Sequence, residues 1–477
     1  MPRRLPVLVL AFAALAGCQP TAARRGATVL FASGADLQSI NPLLTLHPLA
    51  RQVQRYVLLT TLARYDSALV ARPYLARAWG WSPDRRTLTL HLAAGVRWHD
   101  GVPTTARDVR WTLDAARDPA VGYPRAAELA SLDRVTAPDD STVSLAFRVA
   151  PAGFPDVLTD LAILPAHLLD TVPRARLRQA AWNEAPVGNG PFRFVAHEPN
   201  RRWVFAANAD FPAALGGRPR LDRLIVVVVD EPATKLAALT AGELDFAGIQ
   251  PAHAAFVARD PGLAIVSYPL LLTYGIALNT RHPPFDALAA RRRLDAAIDR
   301  EEIVQGYLYG FGTPAREPVP PDLPGYVPVA GGVSGGVAGD PSAAPMRFEL
   351  LTVGSGEAPL EQMVQAQLRT SGIDVAIRQL ELSAFLARVY GTGHDFDAAV
   401  LGVPGDAGLA YLGGLGALAG VSLPADAAAA QRVFADSLPM VVLYHARGLQ
   451  GMNRRVHGVT MDLRGELVTV HDWWVTP

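Results

Sequence analysis

Hydrophobic and polar positions alternate along many short stretches of the chain, while longer stretches between them repeat apolar residues every three to four positions. The first pattern is typical of half-buried strands, and the second is typical of helices packed on one face. Strands are predicted at residues 28–31, 87–92, 142–149, 224–229, 348–353, 375–380, 398–401 and 440–443. Helices are predicted at residues 232–240, 286–299 and 360–370. Strands mixed with helices indicate an α/β fold.

Two stretches depart from these periods. The run from Val226 to Val229 is apolar without alternation, which predicts a strand buried on both faces. Residues 320–345 are rich in Gly and Pro and show little periodicity, which predicts a surface loop. Because no period of about 20 to 50 residues repeats, a solenoid is not expected.

The segment that follows the predicted strand at 87–92 combines a turn with a helix start. The sequence His99-Asp-Gly101 favours a turn, and Thr105 precedes Asp108 by three positions. That spacing predicts a capping box, in which both side chains satisfy free main-chain N–H groups. A helix is expected from there on, and the residues of the turn and cap are interpreted as structural rather than catalytic.

Composition excludes several kinds of function. The 477 residues are 50% hydrophobic and 18% charged, which is typical of a folded chain of two or three domains. Lys plus Arg equals Asp plus Glu at 44 each, so a nucleic-acid partner is not expected. The lone lysine, Lys235, lies outside any phosphate-binding loop motif, and the lone cysteine, Cys18, excludes disulfides within the chain and thiolate zinc sites. No cofactor and no metal are predicted.

The amino terminus predicts the compartment. Basic residues at Arg3 and Arg4 precede a short apolar run, and Leu15-Ala-Gly-Cys18 resembles the lipobox of bacterial lipoproteins. An ordinary signal peptide with a chance cysteine is the alternative. We expect residues 1–18 to be a lipoprotein signal with its lipobox, residues 19–27 a tether, and acylated Cys18 an anchor in the lipid bilayer. The protein is then expected in the periplasm or at the cell surface.

Ordered motifs along the chain resemble one known family. Gly95-Val-Arg-Trp-His-Asp-Gly-Val-Pro-Thr-Thr-Ala-Arg-Asp-Val109, Pro186-Val-Gly-Asn-Gly-Pro-Phe192, Leu239-Thr-Ala-Gly-Glu-Leu-Asp245 and Asn279-Thr-Arg-His-Pro-Pro-Phe-Asp286 are similar to those of family 5 solute-binding proteins of ABC importers, the oligopeptide, dipeptide and nickel binders. The resemblance implies a periplasmic-binding-protein-like fold of two lobes (type II, cluster C), with an extra subdomain in the first lobe and a shortened second lobe.

The resemblance also implies domain boundaries. Lobe I is expected at residues 28–60, 186–266 and 440–477, the extra subdomain at 61–185, and lobe II at 267–439. The solute would bind between the lobes.

Family members line this cleft at a few positions, which correspond here to Gln250, Tyr274, Tyr444, His445 and Asp406. In peptide-binding members an Asp at the last position pairs with the α-amino group of the ligand. The alternative interpretation of Asp406 is a turn residue in Pro-Gly-Asp. The family's Trp in this motif is Val403 here, and residues 411–423 are short and rich in Gly and Ala.

Three functions are considered. The first is a lipid-anchored, monomeric binding protein that captures a peptide or similar small solute and delivers it to an ABC permease in the inner membrane. The second is a sensor or partner-binding lipoprotein on the same scaffold, which the shortened second lobe would permit. The third, an enzyme, is not expected because the chain has neither a Gly-x-Ser-x-Gly elbow nor a His-Glu-x-x-His metal motif.

Overall fold

The computed structural model describes residues 26–45, 47–328, 345–406, 408–424 and 426–476. The predicted signal peptide with Cys18, most of the predicted tether and most of the predicted loop at 320–345 lie outside these ranges. Within them, none of the helices combines the length and the apolar character that crossing a bilayer requires.

The described strands are numbered along the chain. They are β1 Thr28–Ser33, β2 Ala63–Tyr65, β3 Ala71–Pro73, β4 Ala76–Trp81, β5 Thr87–Leu92, β6 Leu132–Asp139, β7 Thr142–Phe147, β8 Phe192–Glu198, β9 Arg202–Ala207, β10 Arg223–Val228, β11 Phe246–Gly248, β12 Leu263–Leu278, β13 Gly312–Pro314, β14 Met346–Val353, β15 Ile373–Leu380, β16 Ala398–Pro404, β17 Met440–Asn453, β18 Val456–His457 and β19 Trp474–Val475.

The described α-helices are numbered in the same way. They are α1 Pro48–Gln52, α2 Ala106–Arg117, α3 Val157–Asp160, α4 Ala166–Leu169, α5 Pro232–Thr240, α6 Ala254–Arg259, α7 Leu288–Ala296, α8 Arg300–Gly306, α9 Pro359–Thr370, α10 Leu382–Tyr390, α11 Tyr411–Ala419 and α12 Ala427–Ser437. Helix α1 continues into a π-helical turn, Val53–Leu58. The strands and helices predicted from periodicity are all present, except that the predicted helix at 286–299 is shorter and ends before α8.

One large mixed sheet runs through the molecule in the order β15-β14-β16-β12-β17-β11-β1-β10-β9-β8, with β13 paired to β17. The long strands β12 and β17 lie side by side and antiparallel at its centre. Their register shifts between Pro269 and Thr273, where β12 carries extra residues. A bulge of this kind bends a strand and increases its twist, so the two central strands change direction where they pass from one half of the molecule to the other.

The two halves have separate cores. On the β15 side of the sheet, Ile276 of β12 and Val441 and Leu443 of β17 pack in one apolar cluster with α7 to α9. On the β8 side, Leu449 packs in a different cluster with α5 and α6. Strand β17 therefore begins inside the core of the second half and ends inside that of the first. The boundaries at 266/267 and 439/440 stay predictions.

The segment between β1 and β8 adds a four-stranded antiparallel sheet, β4-β5-β7-β6, which packs against α2. The predicted cap of α2 is present, because Asp108 accepts a hydrogen bond from the main-chain N–H of Thr105 at 2.8 Å. The same buried carboxylate also accepts from Ala166 N at 2.8 Å. Asp108 therefore fixes both the start of α2 and the start of α4.

The apolar run at 226–229 is less buried than predicted. Strand β10 does lie inside the sheet between β1 and β9. Leu224 and Val226 are fully buried, whereas Val227 and Val228 are only partly covered. The prediction of burial on both faces was wrong for Val227 and Val228, which point to opposite faces of the sheet and are each only partly covered near the end of β10.

Candidate ligand-binding cleft

A cavity of about 830 Å³ lies between the two halves of the molecule. The first half contributes Arg51 at the end of α1 and Arg55 in the π-helical turn that follows, and the added subdomain contributes the loop that ends in α3. The second half contributes the loop between β16 and α11. The crossing strand β12 contributes Leu270 and Leu271. A cavity of this size, lined by several chain segments with a few charged groups, is typical of small-molecule sites.

The first-half wall is organised around one carboxylate, Asp160, at the end of α3. Arg51 Nη2 donates to Asp160 Oδ2 at 2.6 Å, and Arg55 and Arg125 also form ion pairs with this carboxylate. Arg125 makes a second, two-pronged ion pair with Glu128. Arg51 and Arg55 lie four positions apart, which places them on one helix face.

Burial of Asp160 opposes its ionisation, since its side chain is only 11% exposed. The guanidinium groups of Arg55, Arg51 and Arg125 outweigh this effect and hold the pKa of Asp160 below its ordinary value. The carboxylate is therefore ionised, and it holds three cations together at the cavity wall.

The carboxy-terminal segment completes this wall. Arg55 Nη2 donates to the carbonyl oxygen of Arg464 at 2.9 Å, and Arg464 forms a two-pronged ion pair with Asp462. Arg464 Nη1 also donates to the carbonyl oxygen of Tyr65 at 3.1 Å. The cationic wall is thus tied to two other segments of the chain.

Asp406 lies in the opposite wall, on the loop that joins β16 to α11. Its two carboxylate oxygens accept hydrogen bonds from Ala410 N and Tyr411 N, each at 3.1 Å. Acceptors at this position satisfy N–H groups that a helix leaves free at its start. The carboxylate thus holds the start of α11 and also lines the cavity, and its role toward a solute stays a prediction.

A second carboxylate faces Asp406 across the cleft. A methyl group built on Gly408 would lie 3.0 Å from Asp156 Oδ2 and 3.3 Å from Asp406 Oδ1. Asp156 accepts a hydrogen bond from the hydroxyl of Tyr65, and burial together with this bond raises the pKa of that tyrosine. Among the described residues, neither Asp156 nor Asp406 forms an ion pair.

The other four predicted ligand residues lie elsewhere. Tyr274 and Tyr444 are paired across β12 and β17, and their rings stack with centroids 5.0 Å apart. His445 is buried beside them, with its Nδ1 2.9 Å from the Thr273 hydroxyl, and burial lowers its pKa to about 4. Gln250 is exposed at the end of β11. None of these four lines the cavity outlined by the described residues.

Sequence reasoning missed Arg51, Arg55, Arg125, Asp156 and Asp160. The i, i+4 spacing of Arg51 and Arg55 was a visible signal of a shared helix face. Nothing near them in sequence identified their partner, because Asp160 follows Arg51 by 109 positions.

Comparison with known proteins identifies a family, several relatives and several solved structures with the same fold. Residues 71–412 match the model of the bacterial extracellular solute-binding proteins, family 5. A putative ABC transporter peptide-binding protein of Brucella ovis is 32% identical over 243 residues, which are 51% of this chain and 45% of that protein. The chain thus spans about half the length of this relative. Di/tripeptide-binding protein 2 of Pseudomonas aeruginosa is 26% identical over 82% of this chain and 78% of its own length.

Solved structures with the same fold include the ABC transporter substrate-binding protein CtaP of Listeria monocytogenes. It superposes with a TM-score of 0.81 at 19% identity over 95% of this chain and 100% of its own. The oligopeptide-binding protein AppA of Bacillus subtilis, solved in complex with a nonapeptide, has a TM-score of 0.73 at 23% identity over 95% and 99% of the two chains.

Proposed function

Because this chain belongs to the family 5 bacterial extracellular solute-binding proteins, we propose that it captures a peptide or similar small solute between two lobes and delivers it to an ABC permease. Members of this family bind solutes and are not enzymes. The added subdomain with β4 to β7 is assigned to lobe I, and the half with α7 to α12 is lobe II.

The pair of carboxylates across the cleft carries this proposal. Asp156 belongs to the added subdomain of lobe I and Asp406 to lobe II, and both face the space beside Gly408. Two unpaired carboxylates of like charge repel each other, and more strongly in a partly enclosed cleft than in water. A cationic group of the solute, such as a peptide α-amino group, would lie between them and convert repulsion into two charge-assisted hydrogen bonds.

This arrangement couples binding to closure of the lobes. A ligand favours one conformation only to the extent that it binds that conformation better than the other. A cation held by Asp156 and Asp406 together contacts both lobes only when they are closed. The closed form with bound solute is then what the permease would receive.

Isothermal titration calorimetry with an equimolar pool of dipeptides and tripeptides tests this function. Saturable binding is expected, and Asp406→Asn and Asp156→Asn should each weaken it about tenfold to a hundredfold, because each removes the negative charge that strengthens a hydrogen bond to the solute's cation. Asp170→Asn is the matched control, since Asp170 pairs with Arg107 and does not line the cavity.

Two results would contradict the proposal. Flat titrations with peptides, sugars, nickel and opines would exclude solute capture. Equal affinity of the N-acetylated peptides and the free ones would exclude a cation subsite at the two carboxylates.

The lipid anchor is a separate part of the proposal and depends on Leu15-Ala-Gly-Cys18. Acylation of Cys18 would hold the protein at the outer face of a membrane, where it can meet its permease. Mass spectrometry of the mature amino terminus tests this: a diacylglyceryl group is expected on Cys18, and Cys18→Ala should release the protein from the membrane fraction. An unmodified cysteine in the wild-type protein would refute the anchor.

A further inference from the structure

One apolar cluster of the second half receives side chains from the first half across the cleft. It lies beside α11 and α12, and its buried members are Val319, Leu323, Leu409, Leu412 and Ala430. Leu69 and Leu463 are partly buried and pack against this cluster, and both also line the cavity. The two halves therefore touch through apolar side chains at the edge of the cleft, as well as facing each other through carboxylates.

Both leucines belong by their chain neighbours to the first half. Leu69 lies in the turn between β2 and β3, and Leu75, which follows this hairpin, is buried in the core that the added subdomain shares with β1 and β10. Leu463 lies between β18 and β19, and Leu467 in the same segment is buried in the same core. The main chain around each leucine is thus held in the first half, while the side chain contacts the second.

Two leucines of this contact, one from each half, have a left-handed backbone. The φ angle is 55° at Leu69 and 59° at Leu409. Leucine rarely adopts this conformation, because its Cβ crowds the main chain, and it persists only where the surrounding structure requires it. Leu409 is only 5% exposed. Packing in the shared cluster offsets the strain on both sides of the cleft.

We infer that these side chains form a leucine latch, in which Leu69 and Leu463 of lobe I pack on the lobe II cluster around Leu409 and Leu412 and hold the lobes together without solute. This goes beyond the proposed function, which requires closure only around a bound solute. Removal of apolar surface from water favours the contact whether the cleft is filled or empty. Repulsion between the two cleft carboxylates opposes it, and the latch offsets that repulsion.

Small-angle X-ray scattering tests the latch on the chain from Gln19 onward, which lacks the predicted signal peptide and lipid. The radius of gyration of the wild-type protein should be almost the same with and without the pool of dipeptides and tripeptides, because the empty protein is already closed. Leu69→Asn should enlarge the empty protein, and saturating peptide should restore the wild-type value. Asparagine tolerates a left-handed backbone, so this substitution removes the apolar contact without straining the turn.

Affinity gives a second measurement of the same substitution. Peptide binding by Leu69→Asn should weaken about fivefold to tenfold, because the closed form becomes a minor species of the empty protein. A lost contact between Leu69 and the peptide would weaken binding too, but it would not change the scattering of the empty protein. Tyr309→Asn is the matched control, because Tyr309 also has a left-handed backbone, with a φ of 52°, and is 59% exposed outside the cluster.

The outcomes separate the latch from the proposed function. An empty wild-type protein that is clearly larger than the peptide-saturated one would overturn the latch, and this comparison needs no variant. Equal scattering of the empty wild-type and Leu69→Asn proteins would also overturn it and leave solute capture standing. Flat peptide titrations would overturn solute capture, while the scattering of the empty proteins would still decide on the latch. Leu463→Asn repeats the test from the other segment, should Leu69→Asn fail to fold.

Discussion

The two walls of the cleft are built by different means. The lobe I wall consists of long charged side chains that hold each other: Asp160 is shared by three arginines, and Arg55 is tied to the carbonyl oxygen of Arg464. The lobe II wall consists of Gly405, Asp406, Gly408 and Ala410, and its single carboxylate is held by two main-chain N–H groups. In lobe I the charged side chains that line the cavity also hold the wall together. In lobe II the charge is carried by one side chain on a loop.

The largest effect is expected from removing the shared carboxylate of lobe I. Asp160→Ala leaves three guanidinium groups facing each other at a buried position, and the cost in free energy of unfolding should be about 3–5 kcal/mol. Urea denaturation measures it. Asp374→Ala, which breaks an ion pair exposed on both sides, should leave the midpoint unchanged. A stability of Asp160→Ala equal to that of the wild type would contradict the structural role of this wall.

Acid should act on two histidines whose pKa values burial lowers, His99 in the added subdomain and His445 on β17. His99, in the added subdomain, accepts from Gly188 N through Nδ1 at 3.2 Å and lies 3.0 Å from the carbonyl oxygen of Gly190 through Nε2, and burial lowers its pKa to about 4. Burial also lowers the pKa of His445 to about 4. In the unfolded chain each histidine takes up a proton near pH 6.5, whereas in the folded chain it does so only near pH 4. Their contribution to stability is therefore fully present above about pH 6.5 and is lost as the pH falls toward 4.

Each of the two histidines should lower the free energy of unfolding by about 2 kcal/mol at pH 5 relative to pH 7. Denaturation of His99→Asn and His445→Asn at both pH values measures this, and each variant should lose less stability between them than the wild type does. His91→Asn, at an exposed position on β5, is the control. An unchanged pH difference in both variants would mean that these histidines are already charged in the folded protein.

Two substitutions of Asp406 should distinguish its contribution to folding stability from its contribution to peptide binding. Asp406→Ala removes the acceptor at the start of α11 and should cost about 1 kcal/mol of unfolding free energy, as the loss of a helix cap does. Asp406→Asn keeps an acceptor and should cost less in stability, although it removes the charge needed for an ammonium group. Denaturation and peptide titration of both variants distinguish the two effects. Equal peptide affinity of Asp406→Asn and the wild type would leave Asp406 with a capping role alone.

The smallest effect is expected at Gly408. A methyl group there presses on Asp156 Oδ2 and Asp406 Oδ1, so the carboxylates must shift by a few tenths of an ångström. Gly408→Ala should weaken peptide binding severalfold without changing the denaturation midpoint. Gly356→Ala is the matched control, because Gly356 also lies outside helices and strands and a methyl group built there meets nothing within 4 Å. If both variants bind peptide equally, the lobes meet less closely at Gly408 than the structure indicates.

The local elements and the family could be predicted from the sequence. The bounds of α5, the capping carboxylate Asp108 and the ordered motifs around His99 and Asn279 depend on residues that are close together in the chain. Periodicity, caps and turns are short-range patterns, so a single sequence carries them. The turn at His99 was predicted from the same local information, whereas its partners Gly188 and Gly190 lie about 90 positions away.

The recognition site depended on the tertiary structure. Arg51 meets Asp160 across 109 positions, and Asp156 faces Asp406 from another lobe. By contrast, Tyr274 and Tyr444 pack against the apolar cluster with α7 to α9, and His445 contacts the Thr273 hydroxyl, so none of the three lines the cavity. A cleft between lobes is formed by segments that are distant in sequence, and which side chains reach it depends on how the central strands β12 and β17 bend between the lobes. Periodicity identifies the strands themselves, but it carries no information about which distant side chains the folded strands bring into the cleft.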